Sequence, residues 1–313
     1  MMDKLCNSEN MTNVREEDLE DFEEDMEEDS KMMIDRTNES TLDEVGNIKF
    51  IKSEIDKKNY DKIRNSIDFT KARVIRNLFE RQSKDYEFAM KGMKSGRLDP
   101  TKIAEAVQGV PTVYERMVHV KTNKVTIGVL VDESGSMSGD RMDKAREAAI
   151  YINEIFKKMN DVELYIYGHT ADQQGSGTVS IRVYKEKGYQ TNPHALGALR
   201  ARSNNRDGEA ILAVANRIRG FTKDQGILFV ISDGQPAAHG YGGSNGILDT
   251  REKVTKAQNI GFQVIQIAID EDVPSKDMFD YYVKMTNIKN LPTELSNYMS
   301  TKIDKLIKET VSL

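Results

Sequence analysis

Asp132, Ser134 and Ser136 alternate along the stretch Val125–Gly139, VTIGVLVDESGSMSG. One carboxylate and two hydroxyls on a tight loop are hard oxygen donors, suited to Mg²⁺ or Mn²⁺. Two more stretches offer donors of the same kind. Asn204–Ile211, NNRDGEAI, carries Asn205 and Asp207, and Ser232-Asp233-Gly234 ends a second apolar run. Asp132, Ser134 and Ser136 are therefore candidate metal ligands. The bland alternative is local: a Ser/Asp turn that caps a helix, with Asp207 as a helix N-cap. His169, in YGHTAD, follows a strand and either lines the crevice or, as the favoured reading, is a capped turn histidine. His239, in HGYGGSNG, reads as a loop residue.

Catalytic chemistry finds little support. The chain has no G-x-x-x-x-G-K-[ST] loop for nucleotide phosphates. It has no G-x-S-x-G elbow, because Met137 stands where the serine would be. A phosphatase that uses two aspartates two residues apart would need a carboxylate at Ser134. A two-metal hydrolase needs more carboxylates and histidines than these loops hold. The only cysteine is Cys6, and the four histidines (119, 169, 194, 239) are scattered, so neither a disulfide framework nor a zinc cluster arises.

The elements that must position these donors are legible in the hydrophobic pattern. Val125–Val131 and Ile227–Ile231 are unbroken apolar runs, as in parallel strands buried on both faces. Phe262–Ile269 is a third. Val162–Tyr167 and Val179–Tyr184 are joined by a short glycine-rich loop and predict an antiparallel hairpin, with the second strand at the sheet edge. Met142, Ala145, Ala149, Ile152, Phe156 and Met159 form one helix face. Ile211, Val214, Ala215 and Ile218 form another, on a helix starting near Asp207. Further helices are expected over Leu248–Asn259 and Leu291–Ile307. Alternating strands and helices predict an α/β fold, a doubly wound, mostly parallel sheet with one antiparallel edge strand. Ligands of such sheets bind beyond the carboxyl ends of the strands, where the candidate donors fall.

Residues 47–120 read as a helical lead-in packed on this domain, with Ile63, Ile67, Val74, Ile75, Leu78 and Phe79 on one face and a short helix entered at Pro100. Residues 1–46 carry 4 Lys/Arg and 17 Asp/Glu, with acidic residues at 11 of the 14 positions from Glu16 to Asp29. Such a block repels itself and reads as a disordered acidic arm. The remaining residues, 121–313, form the α/β domain. The full chain carries a net charge of −6, so the body without the arm sums to +7 (−6 + 13). No basic stripe interleaved with aromatics points to nucleic acid. The polar start and the absence of a long apolar run predict no membrane segment and a cytoplasmic protein.

The D-x-S-x-S pattern of Asp132, Ser134 and Ser136 resembles the metal-ion-dependent adhesion site of von Willebrand factor A domains. In that family the second loop supplies a threonine ligand. The Gly-x-Ala-aliphatic pattern after it places Asn205 at the threonine and Asp207 two residues later, so either could serve. Asp233 matches the third-loop aspartate, which implies a hold on the metal through water. The resemblance implies that a partner's Asp or Glu completes the coordination. DESGSM, YGHTAD, NNRDGEAI and FVISDGQP together resemble the A-domain subunit of aerobic cobalt chelatase, as do GRLDPTKIAEAVQG and YYVKMTNIKNLPTEL. That resemblance spans roughly residues 70–310. It implies an AAA+ ATPase partner of the chelatase or MoxR type, a ring assembly with it, and a non-ATPase role coupling it to a target protein.

Overall fold

The apolar run before Asp132 lies in the middle of a sheet. The computed structural model describes residues 41–70, 72–73, 76–77, 86–120, 125–159, 162–171, 177–222, 226–269 and 275–285. The chain divides into a unit of residues 1–41 and a unit of residues 42–313. The acidic arm up to residue 40 lies outside the described residues. So do Val74, Ile75, Leu78 and Phe79 and the helix expected over Leu291–Ile307.

In chain order the described elements are β1 (Thr41–Val45), β2 (Ile48–Lys52), α1 (Lys57–Ser66), β3 (Tyr86–Met93), β4 (Arg97–Leu98), α2 (Ile103–Val107), β5 (Tyr114–Val120), β6 (Val125–Asp132) and α3 (Asp140–Phe156). They continue with β7 (Val162–Ala171), β8 (Val179–Lys185), α4 (Asp207–Phe221), β9 (Gly226–Ser232), β10 (Ala237–Ala238), β11 (Tyr241–Gly242), α5 (Gly243–Asn259), β12 (Phe262–Ala268), α6 (Ser275–Met278) and β13 (Tyr282–Lys284). The main sheet has eight strands in the order β1-β2-β8-β7-β6-β9-β12-β13. β6 pairs in parallel with both β7 and β9, and β12 in parallel with β9 and β13. β8 runs antiparallel to β7.

Pleating divides the core into two layers. Ile127, Val129 and Val131 of β6 face one side, with Ala145, Ala149 and Ile152 of α3. Leu130 faces the other, with Ile211, Val214 and Ile218 of α4 and Val254 of α5. Both faces are covered, so β6 and β9 must be apolar throughout, and every residue of β9 is buried. Each such buried side chain contributes roughly 1.5–3 kcal/mol relative to exposure. The doubly wound, mostly parallel α/β sheet and its two expected helix faces are therefore present.

Four expectations are corrected. β8 is antiparallel but not the edge, because β2 pairs with it in parallel through Ile48↔Val179 to Lys52↔Val183 and β1 lies beyond. Its alternation misled because the polar Arg182 is itself buried. The lead-in is not wholly helical. Beyond α1 and α2, Ile48–Lys52 lies in the main sheet as β2, Thr41–Val45 at the end of the expected disordered arm is strand β1 of the same sheet, and β3, β5 and β4 form a separate antiparallel sheet. Tyr86, Phe88 and Met90 recur every second residue, a strand period that the helical reading passed over. Helix α5 begins at Gly243, five residues before the expected Leu248, which is exposed. Pro100 does open a turn, where Asp99 accepts a hydrogen bond from the Thr101 N–H at 2.9 Å. Among the described residues no helix is long and apolar enough to cross a membrane.

Candidate metal centre

The parallel register brings the carboxyl ends of β6, β7 and β9 together. Asp132 closes β6 and pairs with His169 of β7. The serine loop that follows is held down by the segment before α4: the Gly135 N–H donates to Ser203 O at 2.6 Å, and the Ser134 N–H donates to Asp132 Oδ1 at 2.8 Å. The hydroxyls of Ser134 and Ser136 lie 2.9 Å apart. Ser134 is buried and Ser136 is exposed at the rim.

Asn205 joins all three loops. Its Nδ2 donates to Asp132 Oδ2 at 3.0 Å and to Asp207 Oδ1 at 3.3 Å, and its Oδ1 accepts from the Ala237 N–H at 2.5 Å. The amide oxygen is thus engaged with the third loop, and the amide hydrogens are engaged with the two carboxylates. Asp207 is not the N-cap of α4. That position belongs to Arg206, and Asp207 is the first helical residue with its carboxylate in the cluster. The helix N-terminus favours negative charge there. Gly208 follows because a Cβ would lie 2.4 Å from Asp249 Oδ2 and 3.0 Å from Thr250 Cα, where α5 crosses. Asp233, after β9, accepts from the Gln235 N–H at 3.2 Å. Its Oδ2 lies 3.7 Å from Arg141 Nη1, and that same nitrogen donates to Ser136 O at 2.7 Å.

His169 departs from the turn reading. Strand β7 runs on to Ala171, so the imidazole sits inside the sheet, fully buried, with Nε2 3.4 Å from Asp207 Oδ1. Asp132, His169 and Asp207 each present one donor atom, all within 4.8 Å of one another. The signal was available in the alternation of β7, in which Tyr165, Tyr167 and His169 share a face. His239 is exposed, and its carbonyl accepts from Arg206 Nη2 at 3.2 Å.

Glu133 is a residue that the sequence reading passed over. The pleat sends it to the face opposite Asp132. Tyr184 Oη donates to its Oε1, and Arg202 Nε and Arg182 Nη1 lie 3.5 and 3.6 Å from its Oε2. Gly168 makes room for it, since a Cβ there would meet Glu133 Cδ at 2.8 Å and Tyr184 Cε2 at 2.9 Å. Glu133 anchors the serine loop from behind.

The electrostatics favour a cation. Burial first, then the charge of Asp233, pushes the Asp132 carboxyl up to about 7, against the pull of its hydrogen bonds from Ser134 and Asn205. Burial, then Asp132 and Asp233, holds Asp207 well above the carboxylate range. Burial pushes His169 down to about 3, so its ring is neutral. Asp233 Oδ2 and both His169 nitrogens are buried without a hydrogen-bond partner among the described residues. Buried charges need pairing or a metal. Two strained carboxylates, a third beside them, two hydroxyls and an unprotonated imidazole are a donor set that fits a divalent ion.

The match to a family model agrees with this architecture. Residues 126–308 match the family model described as von Willebrand factor type A domain. The uncharacterized protein YojO of Bacillus subtilis (strain 168) is 28% identical over 194 residues, 58% of this chain and 30% of that relative. The chain thus covers less than a third of that relative's length. Among solved structures, a von Willebrand factor type A protein from Catenulispora acidiphila is similar at 14% identity and TM-score 0.42, over 71% of this chain and 50% of that one. The PilB minor pilin from Streptococcus sanguinis is similar at 10% identity and TM-score 0.43, over 61% and 71%.

Proposed function

We infer function from one premise: the chain belongs to the von Willebrand factor type A domain family. On that footing it is a divalent-metal-dependent protein-binding adaptor. The observation that carries this reading is the cluster of Asp132, Asp207 and Asp233, fully or almost fully buried, opening to the rim at Ser136. Asp132, Ser134, Ser136, Asp207 and Asp233 would hold a divalent ion, which would supply an electrophilic position for a partner's Asp or Glu.

The chain's own residues prepare that position. Asn205 fixes the spacing of Asp132 and Asp207 by donating to both. Arg141 offsets Asp233 and sets a positive charge at the rim, which favours an incoming carboxylate. Tyr241 accepts from the Gly208 N–H at 3.1 Å and donates to Asp249 at 2.7 Å, which links α4 to α5 beside the site. The motif resemblance to the cobalt chelatase A-domain subunit supports an AAA+ ATPase of the chelatase or MoxR type as the machine that the adaptor couples to a target.

The test is capture of partners from the native host lysate with Mg²⁺ or Mn²⁺, then with EDTA, using the wild-type chain and Asp132→Ala. Metal-dependent recovery of an AAA+ ATPase, lost in the variant, is the expected result. Metal-dependent partners without an ATPase make the chain a scaffold that uses the same site. Partners retained unchanged in EDTA and in Asp132→Ala overturn the adaptor reading.

A further inference from the structure

His169 plays no part in the adaptor reading, yet it is the most unusual group in the site. Buried polar groups are nearly always hydrogen-bonded. His169 is completely buried, and among the described residues neither ring nitrogen has a hydrogen-bond partner. Its position leaves little freedom. On one side β6 fixes it opposite Asp132, and on the other β8 fixes it opposite Ile181. Its carbonyl accepts from the Glu133 N–H at 2.9 Å, which locks the backbone to the start of the serine loop. The ring therefore faces the two carboxylates, with Nε2 3.4 Å from Asp207 Oδ1, beyond a good hydrogen bond. An imidazole nitrogen without a hydrogen-bond partner, clustered with an oxygen of each of two carboxylates, is placed to share a cation with them.

We propose that His169 is a nitrogen ligand of this centre, and that the centre takes an ion suited to imidazole, such as Zn²⁺ or Co²⁺, ahead of Mg²⁺. The inference rests on the metal centre of the adaptor reading and deepens it. Mg²⁺ demands oxygen donors and keeps its waters, whereas imidazole suits the later divalent metals. Asp132 and Asp207 neutralise a divalent charge, and His169 adds a donor without adding charge. The serine hydroxyls and the rim remain available to a partner.

The experiment uses the full chain loaded with Mn²⁺ as a paramagnetic probe. Electron spin-echo envelope modulation then reports any directly bound ¹⁴N. The expected result is an imidazole nitrogen coupling in the wild type that is lost in His169→Gln. Competition titrations with Zn²⁺ and Mg²⁺ accompany it, and the Zn²⁺ preference in His169→Gln shrinks by on the order of tenfold or more. If the variant fails to fold, the wild-type spectrum still tests the assignment through the imidazole character of its coupling, because His169 is the one histidine in the cluster among the described residues. Bound Mn²⁺ with no nitrogen coupling overturns the assignment of His169 and leaves the adaptor reading standing. A coupling that persists in folded His169→Gln also overturns it, because another nitrogen is then the ligand. No binding of either metal overturns both.

Discussion

Two buried carboxylate regions of this molecule are built on opposite principles. Just past β8, Glu186 receives Arg217 through two hydrogen bonds of 2.7 and 2.8 Å and the Tyr167 hydroxyl at 2.6 Å. Arg217 is in turn stacked over Phe50, 4.2 Å from the ring centroid. At the carboxyl end of β6, Asp132 and Asp207 are equally buried, and their direct bonds come from an amide and a backbone N–H, not from a cation. The contrast extends to neighbours in the chain: Glu133 faces two arginines and a tyrosine, while Asp132 faces two aspartates and a neutral histidine. Where the carboxylate serves structure, the chain supplies the counter-charge. At Asp132 and Asp207 the direct partners carry no positive charge, and in the proposed reading the counter-charge comes from outside.

The largest expected effect tests the structural half. Arg217→Met leaves Glu186 buried without its cation and should cost about 3–5 kcal/mol in urea unfolding, with metal affinity unchanged. A loss below about 1 kcal/mol would place Glu186 in contact with water and erase the contrast. Next comes Asp132→Ala. Metal binding to the wild type raises stability by about 2.7 kcal/mol at an ion concentration roughly 100 times Kd, and the variant should show no metal-induced shift in Tm. Its metal-free form should lose no more than about 1–3 kcal/mol, because the Ser134 N–H and Asn205 Nδ2 lose their acceptor while a repelling carboxylate goes. A marked fall in metal-free stability would make Asp132 a structural group like Glu186.

The pH dependence comes third. The metal-free Asp132 carboxyl titrates near 7, so protons compete with the ion below that value. Metal affinity measured by calorimetry should rise with pH through about 7 and go on rising while Asp207, held high by burial and by Asp132, loses its proton, with proton release on binding. For the metal-free fold the signs oppose one another. Asp132, raised from 3.8 to about 7, makes the fold more stable as pH falls through that window. His169, lowered from 6.5 to about 3, makes it less stable as pH falls between those values. The smallest effect belongs to Arg141, whose half-exposed pair with Asp233 contributes about 0–1 kcal/mol. Arg141→Ala should leave unfolding nearly unchanged and weaken partner capture. Equal capture would remove the rim charge from the binding surface.

Much of this was legible one residue at a time. Asp132, Ser134 and Asp233 follow apolar runs that can only be central strands, and the end of a central strand is where an α/β sheet binds its ligand. The long faces of α3 and α4 were equally plain, because helical periodicity is a local property. The lead-in was not, since a period-2 segment such as Tyr86–Met90 becomes a strand only when β5 pairs with it. Within the site, the choice between Asn205 and Asp207 stayed open because both carry oxygen donors. Packing gave Asn205 the task of bridging the loops and turned the Asp207 carboxylate into the cluster.

The sequence by itself determined the donor types, the buried strands that carry them and the order in which three loops present them. All of these depend on side-chain chemistry and on periodicities a few residues long. The tertiary structure alone decided that His169 stands beside Asp132 and Asp207, and that Glu133 turns away from them toward Arg182 and Arg202. Those outcomes depend on the register between strands dozens of residues apart and on the pleat, which sends neighbouring side chains to opposite faces of the sheet.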